Sequence, residues 1–234
     1  MRTIAETGST NADLLSLAGQ QAIAEGFWLR AERQSGGRGR LARRWESPAG
    51  NLYCSTLVQL RPHDPPPGTL ALVTAVAVHE AVSLYIRADE ISIKWPNDLL
   101  VGRAKLSGVL LERTGDAIVI GIGLNIAHHP EGLDRPVTSM AECGAGDVEP
   151  GYFLETLADI FARWLERWRT YGLPPVRSQW LKYAHPKGTM LKAHLPDGTA
   201  IEGTLADLGQ DGALILRLVD GTSHVIHAGD IFLI

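Results

Sequence analysis

Ten residues near the N-terminus combine glycine and arginine in a pattern that is suited to binding an anion. The segment from Gly36 to Trp45 contains three glycines and four arginines. Glycine lets backbone N–H groups approach a ligand closely, and each arginine offers five donors that fit carboxylate or phosphate oxygens. Because the segment has little apolar surface, we expect it to be mobile until it folds over an anionic small molecule. A solvated basic turn is the alternative for such a segment taken alone.

Polar residues also stand where a buried strand is interrupted. Ile91, Ile93 and Trp95 alternate along a strand that stops at Pro96, and the polar pair 97–98 follows directly. The next strand begins with Lys105. These residues could place a carboxylate and an ammonium group beside a ligand, although residues 97–98 alone could form only a turn.

A third polar group leads into the first predicted helix. Ser9, Thr10 and Asn11 precede a run of leucines, and Thr10 with Asp13 resembles a capping box. The three side chains could serve only as helix caps. They could also face a ligand at the helix N-terminus, where free backbone N–H groups gather.

Composition restricts the class of protein. The chain has 234 residues, a net charge of −4 and a pI near 6.1. The protein as a whole therefore has no positive electrostatic field that would attract DNA or RNA. Cys54 and Cys143 are far apart and the eight histidines form no metal motif, so we expect a reducing, cytoplasmic location and no protein-bound metal. No signal peptide is recognisable, and the most apolar run, 70–78, is too short to span a membrane.

The remaining pattern predicts the elements that position these residues. Strands at 27–32 and 51–58 flank the basic loop, and Gly121 and Gly123 leave one strand face bare for a flat ligand or another backbone. A second mobile loop is expected at 128–146. Helices are predicted at 68–86, at 152–171 with an aromatic core stripe, and at 178–184. From about residue 187, short strands and Asp-Gly turns predict a five-stranded barrel.

Taken in order, these motifs resemble the biotin–protein ligase family over nearly the whole chain. The matching segments are Gly8-Ser9-Thr10-Asn11, Gln34 with residues 37–45, Lys94-Trp95-Pro96-Asn97-Asp98 with Lys105-Leu106-Ser107-Gly108, and Gly121-Ile122-Gly123-Leu124-Asn125. One departure is Ala42, where the family usually has a glycine. Because no helix-turn-helix precedes the motifs, the chain resembles the monofunctional class without a DNA-binding domain.

The resemblance implies an α+β fold in two domains. Residues 1–184 would form the catalytic domain, a mixed β-sheet with helices packed on it, similar to class II aminoacyl-tRNA synthetases. Residues 185–234 would form a small SH3-like β-barrel.

The resemblance also implies a two-step reaction. Biotin and ATP, the latter with Mg²⁺, would give biotinyl-5′-AMP and pyrophosphate. The biotin would then pass to a lysine of a biotin carboxyl carrier protein belonging to acetyl-CoA carboxylase or a related carboxylase. No DNA or membrane partner is implied, and a homodimer along a sheet edge stays open.

Roles follow from the matching positions. The implied catalytic residues are Lys105, Arg38, Arg40 and Asp98, where Asp98 either acts on the incoming amine or serves as scaffold. The implied biotin-binding residues are Ser9, Thr10, Asn11, Gln34, Arg38, Gly39, Arg40 and Lys105. The implied nucleotide-binding residues are Arg40, Arg43, Trp45, Asn97, Asn125 and Ser139.

Two other functions are compatible with parts of the pattern. Lipoate– or octanoate–protein ligases share the architecture and reaction logic but lack the Gly-Arg-Gly-Arg loop. A non-enzymatic RNA-binding module could also combine a basic loop with a small barrel. Net acidity and the lack of stacking aromatics beside the arginines count against RNA.

Overall fold

A seven-stranded mixed sheet forms the frame of the first half of the chain. The computed structural model describes residues 1–20 and 22–234. The strand order is β1-β2-β3-β7-β6-β5-β4, in which β1 runs parallel to β2 and all other neighbours are antiparallel. The strands are β1 (Arg2–Thr7), β2 (Trp28–Gln34), β3 (Leu52–Gln59), β4 (Ile91–Lys94), β5 (Asp98–Val101), β6 (Ala104–Thr114) and β7 (Ala117–Leu124).

Helices cover both faces of this sheet, because side chains alternate between the faces along each strand. Helix α1 (Thr10–Gly19) packs through Leu14 on one face, against Leu29, Leu57 and Val119. The other face lies under α2 (Leu70–Val82), α3 (Pro150–Tyr171) and α4 (Pro174–Tyr183). Helix α2 is apolar on nearly every side because it is enclosed by the sheet, α3 and α4.

The aromatic stripe of α3 lies in the core, as predicted. Phe153 and Trp168 are fully buried and Trp164 is nearly so. The Trp168 Nε1 donates a hydrogen bond of 2.8 Å to the Thr69 hydroxyl, which satisfies its one polar atom inside the core.

A second sheet of five antiparallel strands follows the helices. Its order is β11-β10-β9-β8-β12, and the tight turns at Gly198, Gly212 and Gly221 have φ between 82° and 87°. Within the described residues no pairing joins β11 to β12, so closure of the predicted barrel stays a prediction. The strands are β8 (Met190–His194), β9 (Ala200–Leu208), β10 (Leu214–Arg217), β11 (Ser223–Ile226) and β12 (Asp230–Leu233).

Three local features differ from the sequence expectation. Strand β1 was missed because its side chains are mostly exposed at the sheet edge and carry no hydrophobic pattern. The cap of α1 is Ser9, whereas Thr10 is the first helical residue and Asp13 accepts a 2.7 Å hydrogen bond from the Thr7 hydroxyl. Helix α4 begins four residues early, at Pro174, because proline fits the first turn of a helix.

No helix in the described residues is both long enough and apolar enough to cross a membrane.

Candidate active site

Five polar side chains, four of them buried and Gln34 half-buried, meet where α1 begins beside β2 and β3. The backbone N–H and hydroxyl of Thr10 both approach Gln34 Oε1, at 2.9 and 3.1 Å. The same hydroxyl lies 2.8 Å from Ser55 Oγ, which donates to Asn11 Oδ1 at 2.7 Å. Ser9, the helix cap, is also buried. The predicted residues Ser9, Thr10, Asn11 and Gln34 therefore lie together and offer both donors and acceptors.

The glycine/arginine segment folds back on itself as a tight loop above this cluster. Arg38 and Arg44 form an antiparallel bridge, and the Gly39 N–H donates to the Arg43 carbonyl at 2.8 Å. A Cβ on Gly37 would lie 2.4 Å from the Trp45 carbonyl oxygen, so only glycine allows this approach.

Ala42 adopts the left-handed conformation, with φ of 55°. That conformation costs a residue with a Cβ roughly 1 kcal/mol, whereas glycine adopts it without this cost. The departure noted at this position is therefore a local strain in the loop, and the loop keeps its compact form despite it.

The loop arginines contact two different parts of the molecule. Arg38 donates to Glu112 on β6 at 2.9 Å. Arg40 donates to the Gly229 carbonyl at 3.0 Å, and Arg43 forms an ion pair with Asp230. The loop thus contacts the seven-stranded sheet at one end and the C-terminal five-stranded sheet at the other.

Beside the loop, a buried carboxylate separates two lysines. Asp98 pairs with Lys105 and, at 3.2 Å, with Lys94. The register of β4, β5 and β6 creates this cluster, because Asp98 pairs with Lys94 across one edge of β5 and with Gly108 across the other. Lys105 Nζ also lies 5.4 Å from the ring centroid of Trp45, within cation–π range.

Burial and charge act in opposite directions on this cluster. Burial disfavours the ionised form of Asp98, but the charges of Lys105 and Lys94 outweigh it and hold the pKa of Asp98 below its usual value. Burial lowers the pKa of Lys105, and the Asp98 carboxylate opposes that shift. The site therefore contains an ionised carboxylate and a lysine that loses its proton more readily than an exposed one.

The bare strand face predicted at Gly121 and Gly123 is covered by side chains of the protein. A Cβ on Gly121 would lie 2.5 Å from Asn11 Oδ1, and one on Gly123 would lie 2.5 Å from Trp45 Cε2. These glycines admit the helix N-terminus and the loop tryptophan. The buried Trp45 Nε1 has no hydrogen-bond partner in residues 1–20 and 22–234.

These groups surround one cavity of about 400 Å³, a size typical of small-molecule sites. The catalytic and biotin-binding residues expected from the sequence all line it, as do four of the six nucleotide-binding ones. The lining expected residues are Ser9, Thr10, Asn11, Gln34, Arg38, Gly39, Arg40, Arg43, Trp45, Asn97, Asp98 and Lys105.

Two expected nucleotide-binding residues, Asn125 and Ser139, are not among the described residues that line the cavity. They support the second loop instead. Asn125 Nδ2 donates to the Thr138 carbonyl at 3.0 Å, and the Ser139 hydroxyl accepts from the Glu142 N–H at 3.3 Å. Asn97, although it lines the cavity, uses its amide to bind the Val109 carbonyl. The geometry therefore gives Asn125 and Ser139 a role in holding residues 128–139, and direct nucleotide contact stays a prediction.

Sequence reasoning missed several cavity residues that only the tertiary fold brings near. They are Ser55 from the middle of β3, Lys94 from β4, Arg103, Arg135 and Asp230 from β12. Lys94 lies within a motif that was recognised, so its positive charge next to Asp98 was a usable signal. Positions 103, 135 and 230 lie outside the recognised motifs and carry no such signal.

Among the described residues, no group of three or more His, Cys, Asp or Glu side chains is arranged to hold a metal ion.

Comparisons with known proteins show the family of the chain. A sequence model described as the biotin/lipoate A/B protein ligase family matches residues 5–125. The chain is 39% identical to biotin–[acetyl-CoA-carboxylase] ligase of Paracoccus denitrificans, covering 98% of both chains. It is 33% identical to the Mycobacterium tuberculosis enzyme of the same name, covering 97% of this chain and 86% of the other.

Solved structures extend the similarity to three dimensions. Biotin protein ligase from Aquifex aeolicus, solved in complex with biotin and ATP, superposes with a TM-score of 0.86 at 27% identity, covering 100% of this chain and 97% of that one. The fold and these matches define a protein ligase. The chain belongs to the biotin/lipoate A/B protein ligase family.

Proposed function

We propose that this chain is an ATP-dependent biotin–protein ligase that acts on the lysine of a biotin carboxyl carrier protein. The observation that supports this most directly is the convergence of three groups on one cavity. A neutral polar cluster, a basic glycine loop and the half-buried Lys105 surround the same space of about 400 Å³. Full-length relatives with this activity agree with the assignment.

The polar cluster suits the ureido ring of biotin, which has one acceptor and two donors. Thr10, Asn11 and Ser55 offer hydroxyl and amide groups, and Gln34 Oε1 is an acceptor. A site built to satisfy such groups rejects analogues that lack them, because its own buried polar atoms would then be unpaired. We therefore assign the biotin ring to this end of the cavity.

In the first step the biotin carboxylate oxygen attacks the α-phosphorus of ATP. The bond between that phosphorus and the bridging oxygen breaks, and pyrophosphate leaves with the electron pair. The nucleophile is already ionised at neutral pH, so no Ser, Cys or His nucleophile is needed. Lys105, Arg38 and Arg40 supply positive charge where negative charge gathers in the transition state.

The nucleotide then lies toward the loop and the C-terminal sheet. Arg40, Arg43 and Trp45 line that end of the cavity, and residues 128–139 would cover the adenine. Mg²⁺ would enter bound to ATP and neutralise phosphate charge. Closure of the glycine/arginine loop excludes water, which protects the mixed anhydride from hydrolysis.

In the second step the carrier lysine ε-amine attacks the carbonyl carbon of biotinyl-5′-AMP. A carbon–nitrogen bond forms, AMP leaves and the amine loses a proton. The low pKa of Asp98 makes it a weak base, and its two lysine partners occupy its oxygens. We therefore assign Asp98 to positioning Lys94 and Lys105, with proton removal left to solvent.

Lipoate or octanoate ligation is the alternative within the same family. A dithiolane or alkyl tail needs an apolar pocket, whereas the buried side chains around Thr10 and Gln34 are polar. The polar cluster therefore favours biotin.

We also propose a cytoplasmic location, and a division of the chain into a catalytic domain of residues 1–184 and a C-terminal domain of residues 185–234.

Transfer to a carrier tests the proposed function as a whole. The chain is incubated with biotin, ATP, Mg²⁺ and a biotin carboxyl carrier domain, and the product is followed by intact mass. We expect the mass of one biotinyl group on the carrier, and none on a matched carrier whose target lysine is replaced by arginine. Equal labelling of both carriers, or labelling only when lipoate replaces biotin, would contradict the proposal.

A further inference from the structure

The edge strand of the C-terminal sheet faces the cavity with its backbone. Among residues 1–20 and 22–234, strand β12 pairs only with β8, so alternate carbonyl groups on its other side lack a partner within the sheet. Those carbonyls belong to Ile231 and Leu233, and to Gly229 immediately before the strand. Each accepts a hydrogen bond from a cation of the preceding part of the chain.

The three donors are all cavity residues. Arg40 donates to Gly229 at 3.0 Å, Lys94 donates to Ile231 at 3.1 Å, and Arg103 donates to Leu233 at 3.0 Å. The spacing of two residues between acceptors matches the period of a strand. The edge of β12 therefore fixes the positions of three positive charges along one side of the cavity.

Asp230 adds a charge to this edge. Its carboxylate pairs with Arg43 and lies 3.8 Å from Arg40 Nη1, and its side chain is 17% exposed. Both arginines belong to the loop of residues 36–45, whereas Asp230 begins strand β12. The carboxylate therefore belongs to a regular sheet, and its two partners belong to an irregular loop.

We propose that Asp230 is a positioning residue for the ligase reaction, which holds Arg40 and Arg43 over the cavity so that the loop retains the biotinyl adenylate. The proposal rests on the proposed function, since it names the intermediate that the loop retains. The ion pairs are partly exposed, so each contributes modestly. Together they bias the loop toward closure without preventing the opening that substrates need.

The first test measures release of the intermediate from Asp230→Asn. Enzyme loaded with biotin and α-labelled ATP is chased with unlabelled ATP, and bound adenylate is followed with time. We expect release about three- to tenfold faster than from the unmodified chain, with formation of adenylate changed less. Glu202→Gln is the matched control, because it removes a surface pair with Lys192 at 3.0 Å in the same module.

The opposite assignment gives a different result. If Asp230 instead competed with the nucleotide phosphates for the arginines, Asp230→Asn would lower the KM for ATP and leave adenylate release unchanged. Either that outcome or unchanged kinetics overall would overturn the proposal.

A second readout needs no substrate. Trypsin cleaves after arginine, so the rate of cleavage within residues 38–44 reports how often the ligand-free loop opens. Following cleavage after Arg38, Arg40 and Arg44, the sites that every variant keeps, we expect faster cleavage in Asp230→Asn and in Arg43→Gln. The double variant should be no faster than Asp230→Asn alone, because both changes remove the same Arg43–Asp230 pair. Additive increases, or a rate equal to that of Glu202→Gln, would contradict the proposal.

The two readouts separate this inference from the proposed function. A chain that forms no biotinyl adenylate would refute the ligase activity, while the tryptic rates would still test whether Asp230 holds the loop. Thermal unfolding midpoints for each variant show whether cleavage reports the loop or the whole fold.

Discussion

Lys105 is the residue on which the proposed chemistry depends most. Its side chain, 13% exposed, pairs with Asp98, lies against Trp45 and projects over Gly108, where a Cβ would come within 2.9 Å of its Nζ. A cation about 4 Å from reacting oxygens, at an effective dielectric near 20, contributes about 4 kcal/mol. This is roughly a thousandfold in rate.

We predict that Lys105→Ala folds but forms adenylate about a thousandfold more slowly. The fold should persist because Asp98 keeps Lys94 as a charged partner at 3.2 Å. Rapid-quench measurement of adenylate formation and thermal unfolding test the two halves of this statement, with surface Lys192→Ala as control. A variant that unfolds, or that reacts near the normal rate, would show that the electrostatic role is wrong.

The lowered pKa of Lys105 predicts a pH dependence. Burial moves this pKa below 10.5, so as pH rises through the lowered value the ammonium charge is lost. Adenylate formation should therefore fall on an alkaline limb that begins below pH 10.5. Lys105→Arg should be slower but should lose this limb, because a guanidinium stays charged. An identical limb in that variant would assign the titration to another group.

At the scale of elements, the glycine face of β7 and the loop of residues 36–45 have complementary shapes. Gly123 admits the ring of Trp45, so the loop can close only if that position has no side chain. We predict that Gly123→Ala displaces Trp45 and slows adenylate formation about tenfold, since overpacking a tight contact typically costs 1–3 kcal/mol. Gly68→Ala, where a Cβ meets nothing within 4 Å, is the control. Equal rates for both variants would mean that Trp45 closure does not limit the reaction.

Two loops should gain order when ligands bind. Residues 36–45 and 128–139 bury little apolar surface, and the ion pairs to Asp230 are partly exposed. Hydrogen exchange should be faster in both loops than in α2 without ligand, and should slow with biotin and a non-hydrolysable nucleotide. Complete protection in the ligand-free chain would show that the loops are already closed.

Sequence patterns predicted those helices and strands that have a clear periodic or continuous hydrophobic pattern. Helix α3 has a continuous aromatic stripe, and the strands on either side of the basic loop alternate or are apolar. Strand β1 could not be found this way, because an exposed edge strand has no buried face to impose a pattern. The parallel β1–α1–β2 unit was therefore missed.

The site residues also fall into those that the sequence could predict and those that it could not. Residues within contiguous motifs, such as Lys105 and Arg40, could be recognised because glycine, arginine and lysine stand at fixed spacing. Asp230 and Arg103 could not, since they reach the cavity through the docking of one sheet edge against another part of the chain. Asn125 and Ser139 show the converse, because a residue in a recognised motif can support a loop without lining the cavity.

At the scale of the whole molecule, residues from both sheets line one cavity. The seven-stranded sheet supplies the polar cluster and Lys105, and the five-stranded sheet supplies the edge that holds Arg40. Within the described residues, strand β1 is exposed and has no neighbour on its outer side. A second chain could pair with it there, so a homodimer along this edge stays a prediction, and light scattering would test it.

The central claim is that this cavity activates biotin with ATP. Exchange of labelled pyrophosphate into ATP measures that step alone, because it requires reversible formation of the adenylate and no carrier. We predict exchange that depends on biotin, is absent with lipoate, octanoate or RNA, and falls about a thousandfold in Lys105→Ala. Exchange that follows lipoate or octanoate instead of biotin, or no exchange with any acid, would contradict the account.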